Sequence, residues 1–415
     1  MTMKFLTLMC VTWYVVTGIS DIAPTPPMGW TTRGLYDCRV NCAAGLETCL
    51  SQTRIKQMAD TMATDGYRDA GYTYLLIGDC WSEKRRNTQG RLLSDRSRFP
   101  DGIASLAQYL HSKNLKLGLH MDLGIITENG YPGSKGHVAA DVGDMAAWGV
   151  DMIYVDGVTE DVKELETSAI FLDKSINSTG WSPLVSCGWP ARLVHANVTP
   201  NYDVIKGVCH TFRSTKRLSY TSTWNSIYYT SLFFTRDEYN ISSHQGQGRW
   251  NDLGLLLLGS SGLPETCTHT QLSFWAMLNS PLFLGSDLRH LAAADKDIVL
   301  RKPIIELDQD TLDNTPLIKA QYGPEVQVWH RFLSYADHAV LVVSWSPPEV
   351  IPRPIVTNLT LLDAGVNLQP AYSVQDLPSG QPIGHYFTDD VMMIHGAPVT
   401  IFPAGNILLK AVSEH

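Results

Sequence analysis

The residue best placed to do chemistry is Asp156, which follows the apolar run Met152–Val155 and precedes Gly157. A β-branched and apolar run of this kind is typical of a buried parallel strand. Carboxylates at the C-terminal ends of such strands lie where α/β barrels place their catalytic groups. Asp-Gly is also a common turn at the end of a strand, so the pattern alone leaves a purely structural role open.

The segments around Asp156 indicate how it would be positioned. Strand-like and helical runs alternate from about residue 25 to about residue 310, which predicts a (β/α)8 TIM barrel over residues 21–315. Short alternating runs with Pro- and Gly-rich turns then predict a C-terminal antiparallel β-sandwich over residues 316–415, a module for packing and oligomerisation. The predicted barrel strands are Pro27–Trp30, Tyr74–Ile77, Lys116–Met121, Val150–Val155, Leu184–Ser186, His210–Phe212, Leu253–Leu258 and Leu282–Leu284.

Composition restricts the classes of function. The net charge of −9 gives no electrostatic support for nucleic-acid binding. The cysteines form no CxxC pair, which favours disulfides over a zinc site, and nothing predicts a metal or a cofactor. Seven cysteines remain after Cys10 is set aside, and this odd number predicts at least one free or intermolecular thiol.

The N-terminus predicts entry into the secretory pathway. Residues 1–20 carry Lys4, an apolar run and small residues before a cleavage point, as a signal peptide does. No later apolar run is long enough for membrane insertion, so an extracellular or lysosomal protein is expected. Glycosylation sequons begin at Asn177, Asn197, Asn240 and Asn358, and surface loops are expected to carry them.

A series of motifs identifies a resemblance. In order, the chain contains Pro27–Trp30, Asp79–Trp81, Phe99–Gly102, Lys116–Leu119, Tyr131–Ser134, Val155–Gly157, Ser186–Pro190, Gly248–Asp252 and Pro281–Leu288. This order resembles the α-galactosidase / α-N-acetylgalactosaminidase family, glycoside hydrolase family 27, from residue 25 to the end of the second domain. The family implies a (β/α)8 barrel followed by an antiparallel β domain, often as a homodimer.

The resemblance also implies three disulfides, Cys38–Cys80, Cys42–Cys49 and Cys187–Cys209, which leaves Cys267 as the odd cysteine, expected as a buried inert thiol. A further bridge of the animal enzymes is absent as a pair, because Glu128 and Val158 occupy its positions.

The resemblance assigns Asp156 to the nucleophile position of a retaining glycosidase, which uses two carboxylates. The family places its acid/base aspartate four residues after an arginine that matches Arg213, and Arg217 stands at that position here. No Asp or Glu occurs between Arg213 and Asp237, so no other alignment restores the carboxylate. An arginine stays protonated near neutral pH and cannot act as a general acid.

The implied sugar contacts are also altered. Asp79 is retained from an aspartate pair, with Gly78 in the other place. The family's lysine before the nucleophile is Tyr154, its tyrosine after the third strand is His120, its aromatic wall is Arg33, and an aspartate after the seventh strand is Gly254. His120 is expected on the wall of the barrel away from the acid/base position.

Gly188 and Ala191 are small, as in the N-acetylgalactosaminidases, and either leave room for an acetamido group or reflect drift in an unused pocket.

Three hypotheses follow. A secreted pseudo-glycosidase would bind a glycan or a protein partner, and an anionic glycan becomes plausible if the basic side chains meet at the barrel mouth. An active family hydrolase, or a purely structural protein, is the alternative. The basic residues in question are Arg33, Arg192, Arg213, Lys216 and Arg217, which could equally be solvated loop residues.

Overall fold

The computed structural model describes residues 22–36, 38, 49–219, 222–237, 239–259, 262–312, 314–348, 354–394 and 396–413. The expected signal segment, 1–20, lies outside these ranges. No helix in the described part of the chain combines the length and apolar composition needed to cross a bilayer.

The first part of the chain forms the predicted parallel barrel sheet, in the order β7-β6-β5-β4-β3-β2-β1-β8. Its strands are β1 (Met28–Thr31), β2 (Tyr74–Ile77), β3 (Lys116–Asp122), β4 (Met152–Asp156), β5 (Leu184–Cys187), β6 (Thr211–Phe212), β7 (Trp250–Asn251) and β8 (Leu282–Leu284). Its helices are α1 (Gln52–Thr64), α2 (Gly102–His111), α3 (Val138–Ala147), α4 (Leu165–Thr179), α5 (Pro190–His195), α6 (Tyr202–Val208), α7 (Trp224–Arg236), α8 (Glu265–Met277), α9 (Ala293–Val299) and α10 (Lys302–Asp308). The strands are buried along almost their whole length, as parallel strands covered by helices must be.

The seventh strand differs from its prediction at Leu253–Leu258. The strand is Trp250–Asn251, because the amide groups of Trp250 and Asp252 donate to carbonyl groups beside β6. Gly254 then adopts a positive φ of 99° and its amide donates to Asp252 Oδ1 at 2.8 Å, which ends the strand in a turn. Within the predicted segment only Leu256 forms a bridge, to Leu284 of β8, and this bridge joins the two ends of the sheet.

The second part of the chain is the predicted antiparallel sandwich. A six-stranded sheet in the order β14-β13-β17-β11-β10-β9 faces a three-stranded sheet, β12-β16-β15. The strands are β9 (Leu317–Tyr322), β10 (Val326–Phe332), β11 (His338–Ser344), β12 (Ile355–Thr357), β13 (Ala371–Asp376), β14 (Gln381–Phe387), β15 (Met393–Ile394), β16 (Ala397–Ile401) and β17 (Asn406–Ser413). One apolar core, including Val328, Val342 and Val399, fills the space between the sheets.

Helix α8 joins the two parts. The ring centroid of Phe274 in α8 lies 5.4 Å from that of Trp329 in the six-stranded sheet and 5.1 Å from that of Trp345. The barrel core therefore continues into the outer face of this sheet, and the two parts share one apolar interface.

Two of the three implied disulfides are present, Cys38–Cys80 and Cys187–Cys209. Cys49 is also disulfide-bonded, and Cys42, its implied partner, lies outside the described residues. Cys267 is fully buried in α8. The four sequon asparagines are exposed, three of them in loops and Asn177 in the last turn of α4.

Candidate active site

Asp156 is the last residue of β4, and its backbone lies in register with Asp122 of β3. The parallel sheet therefore brings its carboxylate to the C-terminal edge of the strands, where the loops after the neighbouring strands converge. The residue is 8% exposed. Burial at this depth makes its ion partners decisive for its chemistry.

Three cationic or titratable side chains surround the Asp156 carboxylate. Arg33 Nη2 lies 3.1 Å from Oδ2, His120 Nε2 lies 3.3 Å from Oδ2, and Arg213 Nη2 lies 3.7 Å from Oδ1. Burial would raise the pKa of Asp156, but Arg33, the hydrogen bond with His120 and the charge of Arg213 outweigh it and hold the pKa far below its usual range. The carboxylate is therefore permanently ionised and closely paired.

Arg33 is the partner that closes over Asp156. It follows β1, and its guanidinium carbon lies 3.6 Å from the centroid of the Tyr154 ring. Burial would lower the pKa of Arg33, but Tyr154 and Asp156 raise it. Its second terminal nitrogen, Nη1, is buried and has no hydrogen-bond partner among the described residues. Arg33 thus covers one side of the Asp156 carboxylate.

Tyr154 and Gly188 form the wall beside this cluster. The Tyr154 hydroxyl accepts hydrogen bonds from Arg213 Nε at 3.3 Å and Nη2 at 3.2 Å. A Cβ atom at Gly188 would lie 2.2 Å from both the Tyr154 hydroxyl and Asp156 Oδ1. The space directly over Gly188 is therefore occupied by these two side chains, so glycine is required here for packing.

The loop after β6 carries the position where the resemblance expects an acid/base. Arg217 is exposed, and its Nη2 lies 2.6 Å from Glu128 Oε2 in the loop after β3. Arg217 and Asp156 line the same cavities, so the expected place at the mouth is occupied by a guanidinium group. The sequence did not predict this ion pair, although Glu128 and Arg217 carry opposite charges and both replace residues of the family pattern.

Asp252, Asp79 and Asp122 are further carboxylates near the cluster, and burial raises the pKa of Asp122. Burial raises the pKa of Asp252, with Arg213 opposing it, and Asp252 lines a cavity of only about 30 Å³ with Arg33 and Arg213. That volume suits a single water and not a departing sugar. Asp79 follows β2 and accepts hydrogen bonds from the Asn129 backbone at 3.2 Å and side chain at 3.0 Å.

Two open cavities share the mouth of the barrel. One of about 190 Å³ lies against Arg33, Asp79, His120 and Asp156, and one of about 360 Å³ lies against Asp156, Gly188 and Ala191. The sequence-predicted site residues line these cavities together: Asp79, His120, Asp156, Gly188, Ala191, Arg213 and Arg217, with Tyr154 beneath them.

His120 lies within β3, not after it, and contacts Asp156 directly. Its ring stacks beside Tyr154, with centroids 6.1 Å apart. The contact follows from register, since His120 and Tyr154 are paired residues of β3 and β4.

A metal is not favoured by the geometry. Within the described ranges, the group of side chains close enough to share an ion is Cys38, Asp79 and Cys80. Both cysteines are joined in a disulfide, so neither can supply a thiolate.

Comparison with known proteins gives one consistent result. The family model described as alpha galactosidase A matches residues 25–310. The chain is 34% identical to alpha-N-acetylgalactosaminidase of Gallus gallus over 94% of each chain. It is 33% identical to alpha-galactosidase A of Homo sapiens over 94% of this chain and 89% of that protein. The crystal structure of alpha-galactosidase I from Mortierella vinacea superposes with a TM-score of 0.79, at 23% identity, over 95% of this chain and 98% of that one.

Proposed function

The chain belongs to the alpha galactosidase A family, and from that premise we propose that it is a member with lost or very slow hydrolysis that binds glycans at the barrel mouth. The glycan class follows the names of the relatives, whose substrates end in α-linked galactose or N-acetylgalactosamine. Fold alone does not carry this conclusion, because one fold serves many activities.

The observation that carries the proposal is Arg217 at the acid/base position, paired with Glu128 at 2.6 Å. A guanidinium group can neither donate a proton to a leaving oxygen nor accept one from water near neutral pH. General acid–base catalysis contributes typically about 10²–10⁴-fold, and a retaining glycosidase needs it in both steps.

The state of Asp156 supports the same conclusion. A nucleophile must be free to approach the anomeric carbon, but this carboxylate is already shared by Arg33, His120 and Arg213. Attack would require Arg33 to leave a buried ion pair and its stacked position on Tyr154. Separating such a pair costs several kcal/mol, about 3–5 when one partner is removed.

We also propose secretory passage to an extracellular or lysosomal location, and assembly as a homodimer. The disulfides and the exposed sequon asparagines support the first. The family resemblance supports the second.

The alternative is a slow but active hydrolase, and the retention of Asp156 at the end of β4 favours it. A substrate with a very good leaving group needs little protonation of the departing oxygen. Asp156 could then form a glycosyl-enzyme that an added small nucleophile would release.

The test uses a dinitrophenyl α-N-acetylgalactosaminide with and without azide, for the wild-type protein and Asp156→Asn. We expect at most a slow release of dinitrophenol, increased by azide because azide needs no general base, and lost in Asp156→Asn without azide. An azide-independent rate that matches the rate of an active relative would overturn the proposal. Activity that persists in Asp156→Asn without azide would remove Asp156 from it.

A further inference from the structure

The rim of the barrel between α5 and the loop after β6 carries a second feature. The cavity of about 360 Å³ beside Asp156 adjoins another of about 530 Å³ on the far side of this loop. His195, Lys216, Arg217 and Ser219 line both cavities. A continuous surface therefore leads outward from Asp156 past Lys216.

Side-chain charge along this surface is positive. Four permanent cations, Arg192, Arg213, Lys216 and Arg217, line the cavity beside Asp156. Two carboxylates, Glu128 and Asp156, face them in the same cavity. The excess of cations contrasts with the chain as a whole, whose net charge is −9. A local positive field in an acidic protein draws anions to this position.

Two of these cations have no carboxylate partner within the described residues. Arg192 Nη1 donates to the backbone carbonyl of Glu160 at 3.0 Å, which leaves its charge uncompensated. Lys216 is exposed and forms neither a hydrogen bond nor an ion pair in the described part of the chain. Both groups can therefore bind an added anion without breaking an existing pair.

His195 reports the same field. Its imidazole lines both cavities, and its pKa is lowered by burial and by the charges of Arg213 and Lys216. The cations are thus close enough to act on one group. Arg192, His195, Lys216 and Arg217 are called the cationic rim below.

The outer cavity also offers a hydroxyl group to a ligand. The Thr215 side-chain oxygen is buried and has no hydrogen-bond partner among the described residues. It lies beside Lys216 in the wall of the 530 Å³ cavity. A buried unpaired hydroxyl group is costly and favours a ligand that can pair with it.

The inner sugar position is restricted, since Arg33 fills the space beside Asp156 and the cavity there is about 190 Å³. We propose that the cationic rim binds the oxyanion of an anionic glycan, a sulfate ester or a carboxylate, while the neutral sugar occupies the cavity beside Asp156. This inference rests on the glycan-binding function proposed above. It assigns the ligand class that the unpaired cations select, because oxyanions form charge-assisted hydrogen bonds with guanidinium and ammonium groups.

Glu128 is the internal competitor of that oxyanion. Its carboxylate holds Arg217 at 2.6 Å, yet both side chains are well exposed, at 55% and 39%. An exposed pair of this kind is weak and can exchange for a ligand. Removing the Glu128 charge therefore frees Arg217 and strengthens anion binding.

The experiment is calorimetric titration of the full chain with methyl α-N-acetylgalactosaminide, its sulfate ester and its sialylated form, at low and high salt. We expect both anionic glycans to bind at least about tenfold more tightly than the neutral one at low salt, as one or two charge-assisted hydrogen bonds predict. The preference should shrink at high salt, because exposed charges are screened. If only one anionic form shows the preference, that form identifies the source of the oxyanion.

Three variants locate the effect. Lys216→Gln/Arg217→Gln should abolish the preference for anionic glycans, and Glu128→Gln should strengthen it. Lys174→Gln is the matched control, because Lys174 is an exposed lysine of α4 that lines none of these cavities and likewise has no partner within the described ranges. It should leave binding unchanged.

The inference is overturned if neutral and anionic glycans bind equally, if none binds, or if Lys174→Gln loses as much affinity as the double variant. Equal binding without hydrolysis would leave the proposed function standing. Rapid hydrolysis would overturn the proposed function, and the preference for anionic glycans would still be measurable on Asp156→Asn.

Discussion

Buried guanidinium groups occur both at the barrel mouth and at the interface with the sandwich, and their charges are compensated in different ways. At the mouth, Arg33 and Arg213 share the carboxylate of Asp156, and the pKa of each arginine is raised despite burial. At the interface, Arg331 of β10 donates to the backbone carbonyls of Ala276 at 3.1 Å and Met277 at 3.0 Å in α8. Burial lowers the pKa of Arg331 to about 10.

The difference in charge compensation distinguishes the candidate site at the mouth from a structural contact at the interface. Arg331 also donates to the carbonyl of Leu307 in α10 and to the side chain of Asn279, so its donors connect β10 with α8 and α10. The mouth cluster borders open cavities and contains the carboxylate that the family resemblance assigns to catalysis. The contacts of Arg331 with backbone carbonyls hold the two parts of the chain together. The ion pairs of Arg33 and Arg213, by contrast, compensate the charge of a carboxylate that lies beside a cavity.

The largest effect is expected at the interface. Arg331→Met would remove the donor to the Met277 carbonyl and one of the two donors to each of the Ala276 and Leu307 carbonyls, and should lower the free energy of unfolding by about 3–5 kcal/mol. Denaturant unfolding measures it. Arg96→Met, at an exposed arginine with no side-chain partner within the described residues, is the control and should change little. A loss in Arg331→Met no larger than the control would show that this arginine does not hold the two parts together.

A somewhat smaller loss is expected at the mouth. Asp156→Asn leaves Arg33 and Arg213 buried without their carboxylate, and should lower the free energy of unfolding by about 2–3 kcal/mol. Asp389→Asn, at an exposed position, is the isosteric control. Removal of a strained active-site group often stabilises an enzyme. A gain in stability would therefore indicate that Asp156 is a strained catalytic group, and would contradict a carboxylate that its ion pairs stabilise.

The histidine pair of the sandwich and the carboxylate of the mouth should also differ in their response to pH. In β10 and β11, burial lowers the pKa of His330 and of His338 to about 4, from an ordinary 6.5. The unfolded chain therefore takes up protons first, so stability is full above about pH 6.5 and falls towards pH 4. Asp156, with its pKa far below the usual range, stays ionised throughout this interval and contributes no change.

Chemical unfolding at about pH 7 and about pH 5 checks this difference. We expect the histidine pair to contribute a loss of about 1–2 kcal/mol between these values. His330→Gln should reduce the loss, since Gln does not titrate and can still bond to His338, which lies 2.8 Å from His330. An unchanged loss in that variant would assign the pH dependence to other groups.

The smallest effect is expected at the exposed pair of the mouth. Glu128→Gln should change the free energy of unfolding by no more than about 0.5 kcal/mol, because exposed ion pairs contribute little. Glu306→Gln removes another exposed pair, with Lys302 at 3.3 Å, and should behave alike. A loss several times larger at Glu128 would make the Arg217 pair structural and unable to yield to a ligand.

Much of this arrangement follows from the sequence. The apolar run before Asp156 predicted a strand that ends at that residue, and β4 ends there in the structure. The seventh strand was misplaced because Leu253–Leu258 is apolar enough for a strand, while the turn at Gly254 depends on Asp252. Local periodicity does not report such a turn.

The contacts of the mouth could be predicted only in part. The chemistry of Arg217 could be predicted, because charge type is independent of conformation. The closure of Arg33 over Asp156 could not be predicted, since the two residues are 123 positions apart and meet through the packing of β1 and β4 loops. The Glu128–Arg217 pair could be predicted in part. The opposite charges of the two residues suggest an ion pair, but only the fold brings the loops after β3 and β6 together.

The central claim is that the Asp156 carboxylate is held in ion pairs and has no acid/base partner. The most direct test is hydrolysis of p-nitrophenyl α-N-acetylgalactosaminide and α-galactoside, from about pH 3 to about pH 8, beside an active relative. We predict a rate at least about 10²-fold below that of the relative at every pH, as loss of acid–base catalysis requires. A rate equal to that of the relative at any pH would contradict it.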